Sequence, residues 1–150
     1  GFQIATVIER CLDLSRGSLV EHGIEVKLDC QLSNEMANGH PLQIEKPLIA
    51  LLNNAREAVL EGAPSNPKIT IVATAVEADI AKIVVSDNGC GFTEDLRERV
   101  FEPFFSTRTA DKNVGLGLSV AQAVINDLGG RLNLHSDNGW TTATMVVPLR

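Results

Sequence analysis

Tyrosine is absent from the 150 residues, tryptophan occurs once and phenylalanine five times. So few flat side chains leave little with which to read bases by stacking. Basic residues are also scarce: 13 Lys and Arg face 19 Asp and Glu, a formal net charge of -6, and the cations are scattered rather than striped. That balance argues against a nucleic-acid partner. No apolar run approaches the length needed to cross a bilayer and no secretory leader is visible, so the chain reads as not membrane-inserted. The three cysteines, Cys11, Cys30 and Cys90, fit neither CxxC nor a zinc spacing. They are expected to be buried or half-buried reduced thiols of a cytoplasmic protein.

What is plentiful is apolar surface, 44% of the residues, enough for one core and one domain over residues 1–150. From Phe2 to about Leu19, Ile4, Val7, Ile8, Cys11, Leu12 and Leu14 recur at helical spacing, and Gly23 marks a stop. Residues 24–30 alternate apolar and polar as a half-buried strand does. Pro41 to Glu61 predicts the strongest helix, with a stripe of Leu48, Leu51, Leu52, Ala55 and Val59 and with Gly62 just past its end. Lys68–Val76 and Ile80–Ser86 predict an antiparallel hairpin. Leu118–Leu128 predicts a helix stopped by Gly129 and Gly130, and two closing strands follow at 131–135 and 141–147.

Three helices among hairpin-forming strands predict an α/β fold, a two-layer sandwich. Its mixed, mostly antiparallel sheet of about five strands would be covered on one face by the helices. Neither the Rossmann nor the P-loop glycine pattern is present, which argues against a doubly wound parallel sheet. Residues 93–114 carry an apolar anchor, Phe101, Phe104 and Phe105, and then a polar tail. Placed between two glycine clusters, they predict a mobile lid.

Chemistry concentrates in two places. Asp87-Asn88-Gly89-Cys90-Gly91 lies where the β-branched run Ile83-Val84-Val85 ends. An acid at a strand end accepts a hydrogen bond from a purine amine, and glycines admit a flat ring against the backbone. Asp-Asn-Gly is also a common turn, which accounts for Gly89 but not for Gly91. Gly115-Leu116-Gly117-Leu118 enters a helix, where free N–H groups and the positive dipole end suit phosphates. Between them in function stands Asn54, at the margin of the 41–61 helix stripe. It is either a satisfied amide or a neutral oxygen ligand for Mg²⁺. Glu57, on the same face, is either a solvated helix glutamate or a contact to the metal, its water or the acceptor.

Four ordered segments resemble known sequence boxes: Leu51-Leu52-Asn53-Asn54-Ala55, Asp87 to Gly91, Phe101-Glu102-Pro103-Phe104-Phe105 and Gly115 to Leu118. They are similar to the N, DxGxG, F and GxGL boxes of the catalytic ATP-binding domain of bacterial two-component sensor histidine kinases. These belong to the GHKL superfamily, which has the Bergerat fold and includes gyrase, Hsp90 and MutL. The resemblance implies ATP and Mg²⁺ as cofactors, and transfer of the γ-phosphoryl group to a histidine. It implies that Asn54 holds Mg²⁺, Asp87 binds the adenine amine and Gly91 packs near the ring. The phosphates would be met by Gly115, Leu116, Gly117 and Leu118, assisted by Arg108 and Lys112 of the lid. Thr141 falls at the threonine of the last box, where Trp140 replaces the usual preceding glycine. Ala50 replaces the asparagine usual in kinases, and a methyl group where hydrolysing relatives hold a glutamate argues against a hydrolase.

His22, His40 and His135 lack the acidic helical setting of an acceptor. The resemblance therefore implies that the acceptor lies on a dimerisation and phosphoacceptor helical hairpin N-terminal to residue 1. A response regulator receiver domain would follow as indirect partner, in a cytoplasmic domain whose parent is membrane-anchored or free. The rival readings are a serine/threonine kinase of the same superfamily and a nucleotide-binding pseudokinase that regulates by docking.

Overall fold

A computed structural model describes residues 1–92, 101 and 114–150. In chain order these form β1 (Phe2–Gln3), α1 (Ile4–Glu21), β2 (Glu25–Cys30), β3 (Met36–Ala37), α2 (Leu42–Gly62), β4 (Lys68–Glu77), β5 (Ile80–Asp87), α3 (Val114–Asp127), β6 (Arg131–Asp137) and β7 (Trp140–Pro148). Five strands make the main sheet in the order β2-β4-β5-β7-β6, and β1 pairs with β3 in a separate two-stranded ribbon. All pairings in the main sheet are antiparallel except that of β2 with β4. A parallel pair needs a long crossover, and α2 lies within it. The mixed two-layer sandwich expected from the sequence is the fold.

Period-two burial explains why the helices occupy one face. Ile69, Ile71 and Ala73 of β4 lie opposite Asp87, Val85 and Ile83 of β5, and alternate residues of β6 and β7 continue the face. Under them Ile4, Ile8, Leu48, Leu51, Leu52 and Ile125 are shut off from solvent almost completely. Burying a side chain of this size is worth about 1.5–3 kcal/mol, so this interface carries the fold. Across the sheet, Lys27, Thr70, Ser86, Thr142 and His135 form a polar row on the opposite face.

Several expectations needed adjustment. Phe2 belongs to the β1 ribbon, not to the first helix, and β3 had no legible pattern because two residues cannot show a period. The third helix begins at Val114, so Gly115 to Leu118 lie inside its opening turns. The thiols divide three ways. Cys11 is buried, and desolvation, with the charge of Glu45, pushes its pKa up to about 12. Cys30 is half-buried, whereas Cys90 is exposed, against expectation. Among the described residues no helix is long and apolar enough to cross a membrane.

Candidate nucleotide site

β5 ends on Asp87, which is only 2% exposed although every other buried residue near it is apolar or Thr141. Strand register explains its place. Asp87 faces Ile69 on one side and Thr141 on the other, so its side chain points to the helix layer. The carboxylate closes the turn behind it, Oδ1 accepting from Gly89 N–H at 2.9 Å. A carboxylate offers about four lone-pair sites, so it can serve several donors at once. Burial of an acid at a strand end is costly unless it is used.

The loop after Asp87 is held from two sides. Asn88 Oδ1 accepts from Lys68 N–H at 2.9 Å, and its Nδ2 donates to Asn66 O at 2.6 Å, tying the loop to the entry of β4. Cys90 N–H donates to Ala58 O of α2 at 2.9 Å. Here the reason for the glycines differs from the expectation that both admit a flat ring. A Cβ on Gly89 would collide with the backbone of Ala58 and Val59, so Gly89 lets the loop touch the helix. Gly91 has φ +67, and its Cβ would lie 2.5 Å from Ser136 Oγ. Left-handed backbone and a hydroxyl neighbour both select glycine there.

On α2 the two asparagines separate. Asn53 lines a groove with Arg56 and with Leu14 and Ser18 of α1, where Arg56 Nη1 donates to Ser18 Oγ at 3.2 Å. Ala50, four residues before Asn54, lines a cleft of about 320 Å³ with Lys46, Pro47, Gly117, Val120, Ala121 and Val124. Ala58, four residues after Asn54, receives the Cys90 bond. Residues four apart share a helix flank, so half-buried Asn54 stands between the α3 cleft and the Asp87 loop. Glu57 is half-buried near the same flank, with Oε2 shielded from solvent.

Gly117 and buried Leu118 belong to α3 beside this cleft. Gly115 and Leu116 lie in the first turn of that helix. Arg108, Lys112, Phe104, Phe105 and the rest of the expected 93–114 lid lie outside the described residues, apart from half-buried Phe101 and the helix start at Val114. Thr141 is 4% exposed and keeps its register with Asp87. Trp140 does not displace it. Asn138 and Gly139, both at positive φ, close the β6–β7 turn, and Trp140 pairs with Asp137 at 40% exposure.

Sequence reasoning missed Ser136. Its Oγ accepts from Phe92 N–H at 3.2 Å and lies 3.1 Å from Thr141 Oγ1. A single serine in a strand carries no signal of its own; only the β6–β7 register reveals it. The histidines serve locally. His22 Nδ1 lies 2.7 Å from Ser18 O at the end of α1, and His40 Nδ1 accepts from Leu42 N–H at the start of α2. His135 stands on the exposed sheet face.

The arrangement thus offers an acceptor for a purine amine at one end and glycine-rich helix N–H groups at the other. A neutral amide lies between them, which fits a nucleotide with a hard cation on its phosphates. Against known proteins, the family model for histidine kinase-, DNA gyrase B-, and HSP90-like ATPases matches residues 39–150. The two-component sensor PprA of Pseudomonas aeruginosa is 33% identical over 99% of this chain, which covers 16% of PprA. The solved catalytic domain of histidine kinase ThkA superposes with a TM-score of 0.85 at 25% identity, covering 98% of this chain and 93% of that one. ThkA solved in complex with the response regulator protein TrrA gives a TM-score of 0.81 at 23% identity, over 99% of this chain and 41% of that one. The chain spans 16–28% of the length of the first curated relatives that it matches.

Proposed function

The chain belongs to the family of histidine kinase-, DNA gyrase B- and HSP90-like ATPases, and from that premise we propose that it is the ATP-binding catalytic domain of a two-component sensor histidine kinase. It would transfer the γ-phosphoryl group of Mg²⁺–ATP to a histidine on a helical domain of its parent protein. A response regulator would receive the group afterwards, as the pairing of ThkA with TrrA suggests in kind. The observation that carries the reading is the α2 flank Ala50–Asn54–Ala58, which spans from the α3 cleft to the Asp87 loop. It supports a reading in which Asn54 stands between Asp87, as base acceptor, and the start of α3, as phosphate binder.

When bound, Mg²⁺ supplies charge neutralisation on the phosphate oxygens. Asn54 would hold the ion through its side-chain oxygen, and Asp87 would hold the base. Gly115 to Leu118 would offer backbone N–H groups to the phosphates. Glu57 would orient water or the incoming acceptor, and Arg108 and Lys112 would add positive charge. The protein's work is positioning and electrostatics, which are enough for phosphoryl transfer. Ala50 places a methyl group in the cleft, and a methyl cannot abstract a proton from water.

If Asn54 is the ion's ligand, Asn54→Ala weakens ATP binding about tenfold with Mg²⁺ present and barely in EDTA, because only the metal-bound nucleotide uses that oxygen. Titration calorimetry in both buffers checks it, and equal losses would make Asn54 a structural amide. The activity itself is tested with labelled ATP. The chain alone is expected to bind nucleotide without labelling itself. Addition of the parent's helical acceptor domain should yield acid-labile, base-stable phosphate on histidine. Acid-stable label on the chain alone would favour a serine/threonine kinase, and steady turnover without acceptor an ATPase.

A further inference from the structure

Asp87, Thr141 and Ser136 occupy one transverse row across β5, β7 and β6, because Thr141 pairs with Asp87 on one side and with Ser136 on the other. Side chains directly opposite each other on neighbouring strands sit about 4.5–5.5 Å apart at Cβ. Among the described residues, Thr141 makes one side-chain hydrogen bond, the 3.1 Å contact between its Oγ1 and Ser136 Oγ. Either hydroxyl satisfies that distance as donor. Ser136 Oγ, however, already accepts from Phe92 N–H at 3.2 Å. A hydroxyl that accepts a hydrogen bond becomes a better donor, so the chain of bonds is favoured in one direction, Phe92 N–H to Ser136 to Thr141. A hydroxyl has one hydrogen and two lone pairs. With a lone pair of Thr141 taken by Ser136, its own hydrogen is left to be given away.

We propose that Ser136 is a specificity-determining residue that fixes the Thr141 hydroxyl as a donor beside the acceptor Asp87. The inference rests on the reading of Asp87 as the base acceptor. An acceptor next to a donor matches the edge of adenine, whose amine lies beside the acceptor nitrogen N1. It mismatches guanine twice, since guanine shows a carbonyl beside an N1–H. If Thr141 gave its hydrogen to Ser136 instead, it would present only lone pairs and would tolerate the guanine N1–H. Gly91 belongs to the same device: its missing Cβ leaves the space in which Ser136 Oγ reaches Phe92 N–H.

The test is calorimetry with ADP, 1-deaza-ADP, which keeps the amine and loses the N1 acceptor, and GDP. For the wild-type chain, loss of N1 is expected to weaken binding about tenfold, the upper range for one hydrogen bond. Ser136→Ala frees the Thr141 hydroxyl to turn to water, so the 1-deaza penalty falls to about threefold, within the same range for a single bond. Thr141→Val, similar in shape, removes the donor and brings the penalty close to one. Ser136→Ala weakening ADP and 1-deaza-ADP by the same factor would mean a structural latch only and would overturn the proposal. So would Thr141→Val retaining the wild-type penalty, a result that does not depend on the folding of the Ser136 variant. A wild-type chain that binds GDP as tightly as ADP would instead overturn the reading of Asp87 itself.

Discussion

Asp87→Asn is expected to weaken ATP binding by tenfold or more and to erode the preference for ATP over GTP. The carboxylate is 2% exposed and accepts from Gly89 N–H through Oδ1. An asparagine keeps that turn, because its carbonyl oxygen can take the same bond. Its other atom, however, becomes an NH₂ group that meets the purine amine donor to donor. A hydrogen bond to a charged acceptor is worth about 1.5–3 kcal/mol, and 1.4 kcal/mol corresponds to tenfold. Since the isosteric change leaves the Asp87–Gly89 turn in place, the thermal midpoint should move little. Calorimetry with ATP and GTP on both proteins decides the matter. Equal affinity for GTP in the wild type, or an unchanged ATP affinity in the variant, removes Asp87 from base recognition.

Gly89→Ala should destabilise the protein itself. A methyl group at position 89 runs into the α2 backbone at Ala58 and Val59, and no flexible side chain is there to yield. The loop must lift, which strains the Cys90 N–H to Ala58 O bond of 2.9 Å and carries Asp87 with it. Overpacking costs about 1–3 kcal/mol, and a chain of this size loses roughly 2–4 °C of thermal midpoint per kcal/mol. A fall of about 2–12 °C should therefore accompany loss of nucleotide binding. Gly117→Ala provides the contrast. Among the described residues its Cβ meets nothing within 4 Å, and alanine is the better helix former by about 0.5–1 kcal/mol. The midpoint should hold or rise, while nucleotide binding drops if phosphates approach that helix start. A Gly89→Ala protein as stable as the wild type would show that the loop does not bear on α2.

These two glycines also show where local pattern stops being informative. Both stand in short motifs beside apolar runs, yet one is crowded by a helix backbone and the other meets no neighbour among the described residues. What surrounds a glycine is fixed by chain segments remote in sequence, so its composition cannot tell the two cases apart. The same holds for the asparagine pair. The sequence placed both on one helix; packing of α1 on one flank and α3 on the other separated Asn53 from Asn54.

The sequence by itself determined the helices and strands of the main sheet, because periods of 3.6 and 2 are local properties of side-chain order. It also determined the candidacy of Asp87, since an acid ending a β-branched run is a local conflict that only burial or use resolves. Tertiary structure decided the parallel pairing of β2 with β4, the β1–β3 ribbon and the row Asp87–Thr141–Ser136. Each of these depends on register between segments that are distant along the chain or too short to show a period. A shift of one residue would turn every such side chain to the opposite face.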